Sequence, residues 1–148
     1  EIGGQRLLEK FQKHDPMTEQ EVENLFHFIA HELALLLDAL KIHGPKTLIG
    51  SSGTFDTLSD IYCLKNNLPL KDAPETPFNM NAFDDIYEEL IIKDRAARML
   101  IPGMIDMRVD MIVVACCLIK FILSQHLFER VRVSSFSLKE GVLASLQE

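Results

Sequence analysis

Gly50-Ser51-Ser52-Gly53-Thr54 is the stretch of this chain best suited to chemistry. It joins an apolar run at 46–49, which reads as a strand, to 55–64, which continues with helical spacing. A strand that ends in glycines and opens a helix aims backbone N–H groups and a positive helix end at one spot. That arrangement binds anions, phosphate above all. Glycine-serine turns are also ordinary connections, so the turn needs support from elsewhere. Arg108 is the second candidate. An arginine beside such a turn can pair with phosphate through two N–H bonds. It also opens an apolar helix together with Asp110, whose charge favours the helix dipole, so a structural role stays open.

Other groupings fit chemistry less well. His27 and His31 stand four apart, a zinc-ligand spacing, yet His31-Glu32-Leu33-Ala34-Leu35 lacks the second histidine of a His-Glu-x-x-His motif. A solvated helix face is the better reading. Gly44-Pro45-Lys46-Thr47 leads toward Gly50, but no Gly-Lys-Ser/Thr follows the turn, which rejects a nucleotide P-loop. Cys63 has no histidine at a fixed spacing and reads as core. Asp84, Asp85, Glu88 and Glu89 could pair for magnesium or acid–base work, but acids on a surface helix are ordinarily just hydrated.

At 148 residues, 47% of them hydrophobic, the chain suffices for one domain, 1–148, with a real core. A net charge of −7, from 15 basic and 22 acidic side chains, repels nucleic acid and anionic membranes on average. It is compatible with a small anion held locally by backbone dipoles. Three cysteines, Cys63 and the adjacent Cys116 and Cys117, offer neither a disulfide framework nor a metal spacing. They read as reduced core residues of a cytoplasmic protein. No signal-peptide pattern is present, and the chain starts without methionine, as a processed or partial piece does. The longest apolar stretch, 111–119 and then 121–123, falls well short of the ~20 residues that cross a bilayer.

Around these candidates the pattern predicts a helix-rich α/β chain. Residues 2–11 read as the end of an extended segment running into a loop, and Asp15-Pro16 as a turn. Thr18-Glu19-Gln20-Glu21 forms a capping box, which opens a helix to about Ile42. Val22, Leu25, Phe26, Ile29, Leu33, Leu36, Leu37 and Leu40 fall on one face of it, about 120° wide. His43-Gly44-Pro45 stops that helix before the first strand. Residues 66–79 read as a surface loop. Asn81 is expected to cap a helix with Phe83, Ile86, Tyr87 and Leu90 inward, followed by a short helical piece at 96–100. An apolar helix runs to about Leu127, a second strand covers 131–134, and a last helix begins near Leu138. Strands alternating with helices favour parallel pairing, but so thin a sheet looks like half of something.

Several blocks taken in order resemble a known family. They are Gly50-Ser51-Ser52-Gly53-Thr54-Phe55, Ile101-Pro102-Gly103, Arg108-Val109-Asp110-Met111-Ile112, Val133-Ser134 and Lys139-Glu140-Gly141-Val142-Leu143. Gly3, Arg6, Leu7, Glu9, Phe11 and His14-Asp15-Pro16 agree as well. The set resembles the later half of the exopolyphosphatase/guanosine pentaphosphate phosphohydrolase (Ppx/GppA) family. Two positions depart from its pattern. Ala115 stands where members usually carry glycine, and Lys139 where they carry arginine, which loses a bidentate fork.

The resemblance implies a truncated second lobe of an actin-like, ribonuclease H-like ATPase fold with a small, mainly parallel sheet. The N-terminal lobe and the first strands of this lobe would lie outside the chain. The implied reaction is Mg2+-assisted hydrolysis of a terminal phosphoanhydride, in inorganic polyphosphate or guanosine pentaphosphate. The glutamate base and the acidic metal ligand are expected upstream, so no catalytic residue is assigned within 1–148. Gly50, Ser51, Ser52, Gly53, Thr54 and Arg108 are the expected phosphate contacts, Gly53 allowing close approach and Thr54 capping the next helix. Implied partners are the polyanion and the N-terminal lobe. A regulatory or homodimerising lobe is an alternative from another class. So is another actin-like phosphotransferase, against which Arg108-x-Asp110 and Glu140-Gly141 argue.

Overall fold

The computed structural model describes residues 2–70 and 73–146. Its first element, helix α1 (Gly4–Phe11), replaces the extended segment and loop expected there. Leu7, Leu8 and Phe11 form a helical stripe that packs on the core, and the Gly3 carbonyl accepts the Leu7 N–H at 3.0 Å. The paired glycines are thus the start of a helix and not a loop. Asp15-Pro16 follows as a cis peptide in the turn.

Thr18 caps α2 (Glu19–Glu32) with both hydrogen bonds of the capping box present. Glu21 does more than close that box. Its buried carboxylate accepts N–H groups from Lys13 at 2.7 Å and Thr18 at 2.8 Å, and contacts the His14 ring at 3.1 Å. Burial alone would raise its pKa, but the hydrogen bonds from Thr18, Lys13 and His14 outweigh this and hold it down at about 2. A carboxyl lowered in the fold stabilises it fully above the unfolded value of 4.5 and loses that contribution as pH falls toward about 2. Glu21→Gln is therefore expected to cost about 2 kcal/mol at neutral pH and to flatten the acid limb of the stability curve, read by urea melts from pH 7 to pH 3.

The long helix expected to reach Ile42 is broken at Leu33, whose φ of −98° and ψ of 10° leave the helical region. Leu33 still donates to the Ile29 carbonyl at 2.9 Å, so the chain bends for one residue and resumes as α3 (Ala34–His43). The bend takes the second half off the core. Leu25 and Ile29 are fully buried, whereas α3 buries none of its residues and leaves Leu36 42% exposed. Gly44, left-handed at φ 52°, ends α3 as the His-Gly-Pro signal predicts.

Strand β1 (Thr47–Ser51) leads directly into α4 (Gly53–Lys65). The stretch at 66–79 contains a two-residue strand, β2 (Glu75–Thr76), which a loop reading misses; Lys71 and Asp72 lie outside the described residues. Asn79, and not Asn81, caps α5 (Met80–Ile92), accepting the Asn81 N–H at 2.8 Å. Phe83, Ile86, Tyr87 and Leu90 are buried as expected. Then come α6 (Arg95–Met99), α7 (Asp106–Val109) and α8 (Ile112–Gln125), with Cys116 and Cys117 buried on α8. Strand β3 (Arg130–Ser134) and α9 (Leu138–Ser145) complete the chain.

The described strands form one small sheet in the order β1-β3-β2. β1 and β3 are parallel, with Gly50 opposite Val133, while β2 runs antiparallel to β3. The expected parallel pair is therefore the larger part of a mixed sheet. Helix α4 packs on β1 and β3, and α8 packs against α1, α2, α4 and α5 to make the core. Each large apolar side chain removed from water there contributes about 1.5–3 kcal/mol. Among the described residues, no helix is long and apolar enough to cross a membrane.

Candidate functional site

The glycine turn lies where β1 hands over to α4. Gly50 is buried, and a Cβ there would meet the Phe55 ring at 2.2 Å, so only glycine lets the turn fold over that ring. Ser52 has φ 70° and ψ 175°, a conformation nearly reserved for glycine. Holding serine there costs on the order of 1–3 kcal/mol, and such strain concentrates at sites of function. Thr54 does not cap α4 as expected. Ser52 occupies the N-cap position without a side-chain cap bond, and its carbonyl accepts the N–H groups of Phe55 at 2.9 Å and Asp56 at 3.2 Å. The N–H groups of Gly53 and Thr54, first in the helix, have no acceptor among the described residues. They project at the positive end of a thirteen-residue helix.

Arg108 lies against this turn. A Cβ added to Gly53 would fall 2.0 Å from Arg108 Nη2, so glycine is what lets the guanidinium lie flat on the backbone. Its Nη1 reaches only the Met111 sulfur, at 3.7 Å, a weak acceptor. Its Nε is buried with no partner. Among the described residues, no carboxylate pairs with it. Structural arginines are ordinarily paired, and Arg98 shows how. That side chain is 1% exposed, and its Nη1 donates to Asp15 Oδ1 at 2.7 Å and to the Lys93 carbonyl at 2.6 Å. Arg98 and Arg108 thus differ in kind: Arg98 is satisfied and Arg108 is not.

Ser51, Ser52, Gly53, Thr54 and Arg108 line one open cleft of about 280 Å³, with Gly4 and Leu7 from α1 and Met111 and Ala115 from the helix after Arg108. Gly50 does not line it; it is buried, and the Phe55 ring that does line it occupies the space a Cβ at Gly50 would need. Two amides at a helix end in the same cleft as an unpaired guanidinium can take an anion with several oxygens, such as a phosphate group.

The remaining sequence candidates do not join this cleft. His27 and His31 are exposed, and His31 contacts only Glu32, at 3.3 Å. Asp84 pairs with Lys120 at 2.7 Å, while Glu89 is held by both Lys65 and Lys93. Cys63 is buried. Lys139 is 79% exposed and contacts Glu140, whose carboxylate is held at about 2 chiefly by the Ser137 backbone N–H. It brings no second cation to the cleft. Among the described residues, no three acids, histidines or cysteines gather to hold a metal ion, so these residues do not by themselves fit Mg2+.

Sequence reasoning missed the contacts made around α7. Asp110 is not merely a helix-dipole charge; it accepts from Arg95 Nε at 2.9 Å, while Arg95 Nη2 donates to Asp106 at 2.7 Å. Asp15 appears in the sequence only as half of a turn, yet it binds Arg98 and accepts the Arg95 N–H at 2.7 Å. Gly103, at φ 93°, places the loop before α7 against the backbone of α4.

The Ppx/GppA phosphatase family profile matches residues 1–148. No curated protein sequence gives a significant match. Among solved structures, an exopolyphosphatase from Cytophaga hutchinsonii superposes with a TM-score of 0.91 at 37% identity, covering 99% of this chain and 47% of that one. The Ppx/GppA family member of Aquifex aeolicus superposes at 0.76 with 28% identity, covering 99% and 46%. The type II variant of the Aquifex aeolicus Ppx/GppA phosphatase gives 0.76 at 26% identity, covering 97% and 47%. The chain thus spans about half the length of the structures it matches. With the profile covering it from end to end and the glycine turn and Arg108 meeting in one cleft, the chain belongs to the Ppx/GppA phosphatase family, and its fold is actin-like.

Proposed function

We propose that this chain is most of the second lobe of a hydrolase that releases terminal phosphate from inorganic polyphosphate, guanosine pentaphosphate or both, and that it forms one wall of the phosphate cleft. The observation that carries this reading is the unpaired Arg108 guanidinium lying on Gly53 beside two free helix-end amides. Phosphoryl transfer asks a protein mainly to position the phosphate and neutralise its charge, and these groups do both. The family match and the exopolyphosphatase similarity support the reaction class.

In this mechanism the lobe binds and orients the substrate. Arg108 and the amides of Gly53 and Thr54 hold phosphate oxygens, while the apolar wall of Leu7, Met111 and Ala115 limits water on one side. The glutamate base and the acidic Mg2+ ligand would lie upstream of residues 1–148, where the metal would neutralise phosphate charge. The test is phosphate release by the full-length protein with Mg2+, from polyphosphate and from guanosine pentaphosphate separately. Release from at least one is expected; none from either would overturn the reading.

A second reading is favoured by one feature. Helix α9 buries no residue, and Phe136, Leu138, Val142, Leu143 and Leu146 are all more than half or about half exposed, at 57%, 83%, 50%, 61% and 78%. Such a face supports association with another lobe or a second copy. Light scattering of the full-length protein separates them: a dimer favours the homodimer, a monomer the intramolecular contact.

A further inference from the structure

Arg108 has an aspartate two residues away on each side and pairs with neither. Helix α7 covers Asp106–Val109, and Asp110 keeps helical angles at φ −80° and ψ −46°. At about 100° per residue, Asp106 and Asp110 share one face, and Arg108 points to the opposite one. Arg95 on α6 grips that shared face, with Nη2 on Asp106 at 2.7 Å and Nε on Asp110 at 2.9 Å. Arg98, three residues on, donates from Nε to the Val109 carbonyl at 3.2 Å. A helix of one turn has no stability of its own, so such contacts set its rotation.

We propose that Arg95 is a positioning residue for the anion site. By holding Asp106 and Asp110 on the far face of α7, it turns Arg108 toward Gly53 and leaves that guanidinium free for a phosphate-bearing ligand. It also matches the two negative charges that would otherwise weaken the local positive field. Lysine could not replace it, because a single ammonium lacks the fork that spans two carboxylates. The inference rests on the reading of the cleft as a polyanion site.

The three side chains of this clamp are largely exposed, at 46% for Arg95, 80% for Asp106 and 54% for Asp110. Exposed ion pairs contribute little to stability, so removing Arg95 should be seen in binding and not in melting.

The experiment measures tripolyphosphate binding to the full-length protein by calorimetry in EDTA, with thermal melts alongside. It compares the parent sequence, Arg95→Met, Arg95→Lys, Arg108→Met and the Arg95→Met/Arg108→Met double variant. Arg95→Met should bind about fivefold more weakly with an unchanged melting temperature, Arg95→Lys should recover little, and the double variant should be no weaker than Arg108→Met. An Arg95→Met protein that binds normally while Arg108→Met does not would overturn this inference and leave the site reading intact. An Arg95 effect that persists undiminished without Arg108 would overturn it too. If Arg108→Met itself binds normally, the site reading fails, and this inference with it.

Discussion

Arg108→Met is expected to weaken polyanion binding by the full-length protein about 10- to 150-fold while leaving the fold as stable as before or slightly more so. Hydrogen bonds to a charged group contribute about 1.5–3 kcal/mol, which converts to that range. Stability should not suffer, because the side chain leaves Nε buried without a partner and has no carboxylate to strand. That opposite movement of binding and stability separates a ligand-holding arginine from a structural one. Gly53→Ala gives an independent check. Its Cβ would fall 2.0 Å from Arg108 Nη2, the far end of a flexible side chain, so the guanidinium moves aside with little effect on folding. Binding should drop in calorimetry toward the Arg108→Met value. Normal affinity in both variants would remove Arg108 from the site.

Gly103→Ala is expected to be strongly destabilising. Gly103 has φ 93°, and an added Cβ would lie 2.6 Å from the Ile61 nitrogen and 2.8 Å from the Asp60 carbonyl carbon. Both are backbone atoms of α4 and cannot rotate away. The left-handed angle costs about 1–2 kcal/mol, and forcing two backbones apart about 1–3 kcal/mol more. Against a total stability of about 5–15 kcal/mol this is a large fraction, and it should lower the melting temperature by about 10 °C. The displacement also separates α7 from α4, so Arg108 leaves Gly53 and binding falls with stability. Urea unfolding measures the first effect; an unchanged midpoint would show that the loop does not rest on α4.

The contrast between these two positions shows what a sequence can reveal. The glycine turn and Arg108 stand out as candidates from local signals, residue type and an adjacent helix start, and the structure brings Ser51, Ser52, Gly53, Thr54 and Arg108 to one cleft. The capping box at Thr18 and the inward stripe of α5 were legible because their signals are local too. What failed depends on contacts across the chain. Residues 2–11 looked extended because two glycines dominate the local signal, although Leu7 and Phe11 carry the helical spacing that packs against the core. Leu33 breaks its helix without proline or glycine, so the apolar stripe runs on through the bend. β2 exists only because β3 lies beside it; two residues have no period of their own. Ser52 caps where Thr54 looks suited, because the turn needs its unusual backbone angles before α4 can begin. Arg95 meets Asp106 and Asp110 across gaps of 11 and 15 residues, and Arg98 meets Asp15 across 83, distances at which no spacing rule applies.

Both the proposed reaction and the clamp on α7 depend on one claim: an anion sits between the Arg108 guanidinium and the free amides of Gly53 and Thr54. The most direct measurement is a crystal structure of the full-length protein with tungstate, whose metal is located by anomalous scattering. The account predicts tungsten within about 4 Å of the Arg108 guanidinium and of both amides, as hydrogen-bonded oxyanion geometry requires. A carboxylate from the remainder of the protein paired with Arg108, with the anion bound elsewhere, would contradict it.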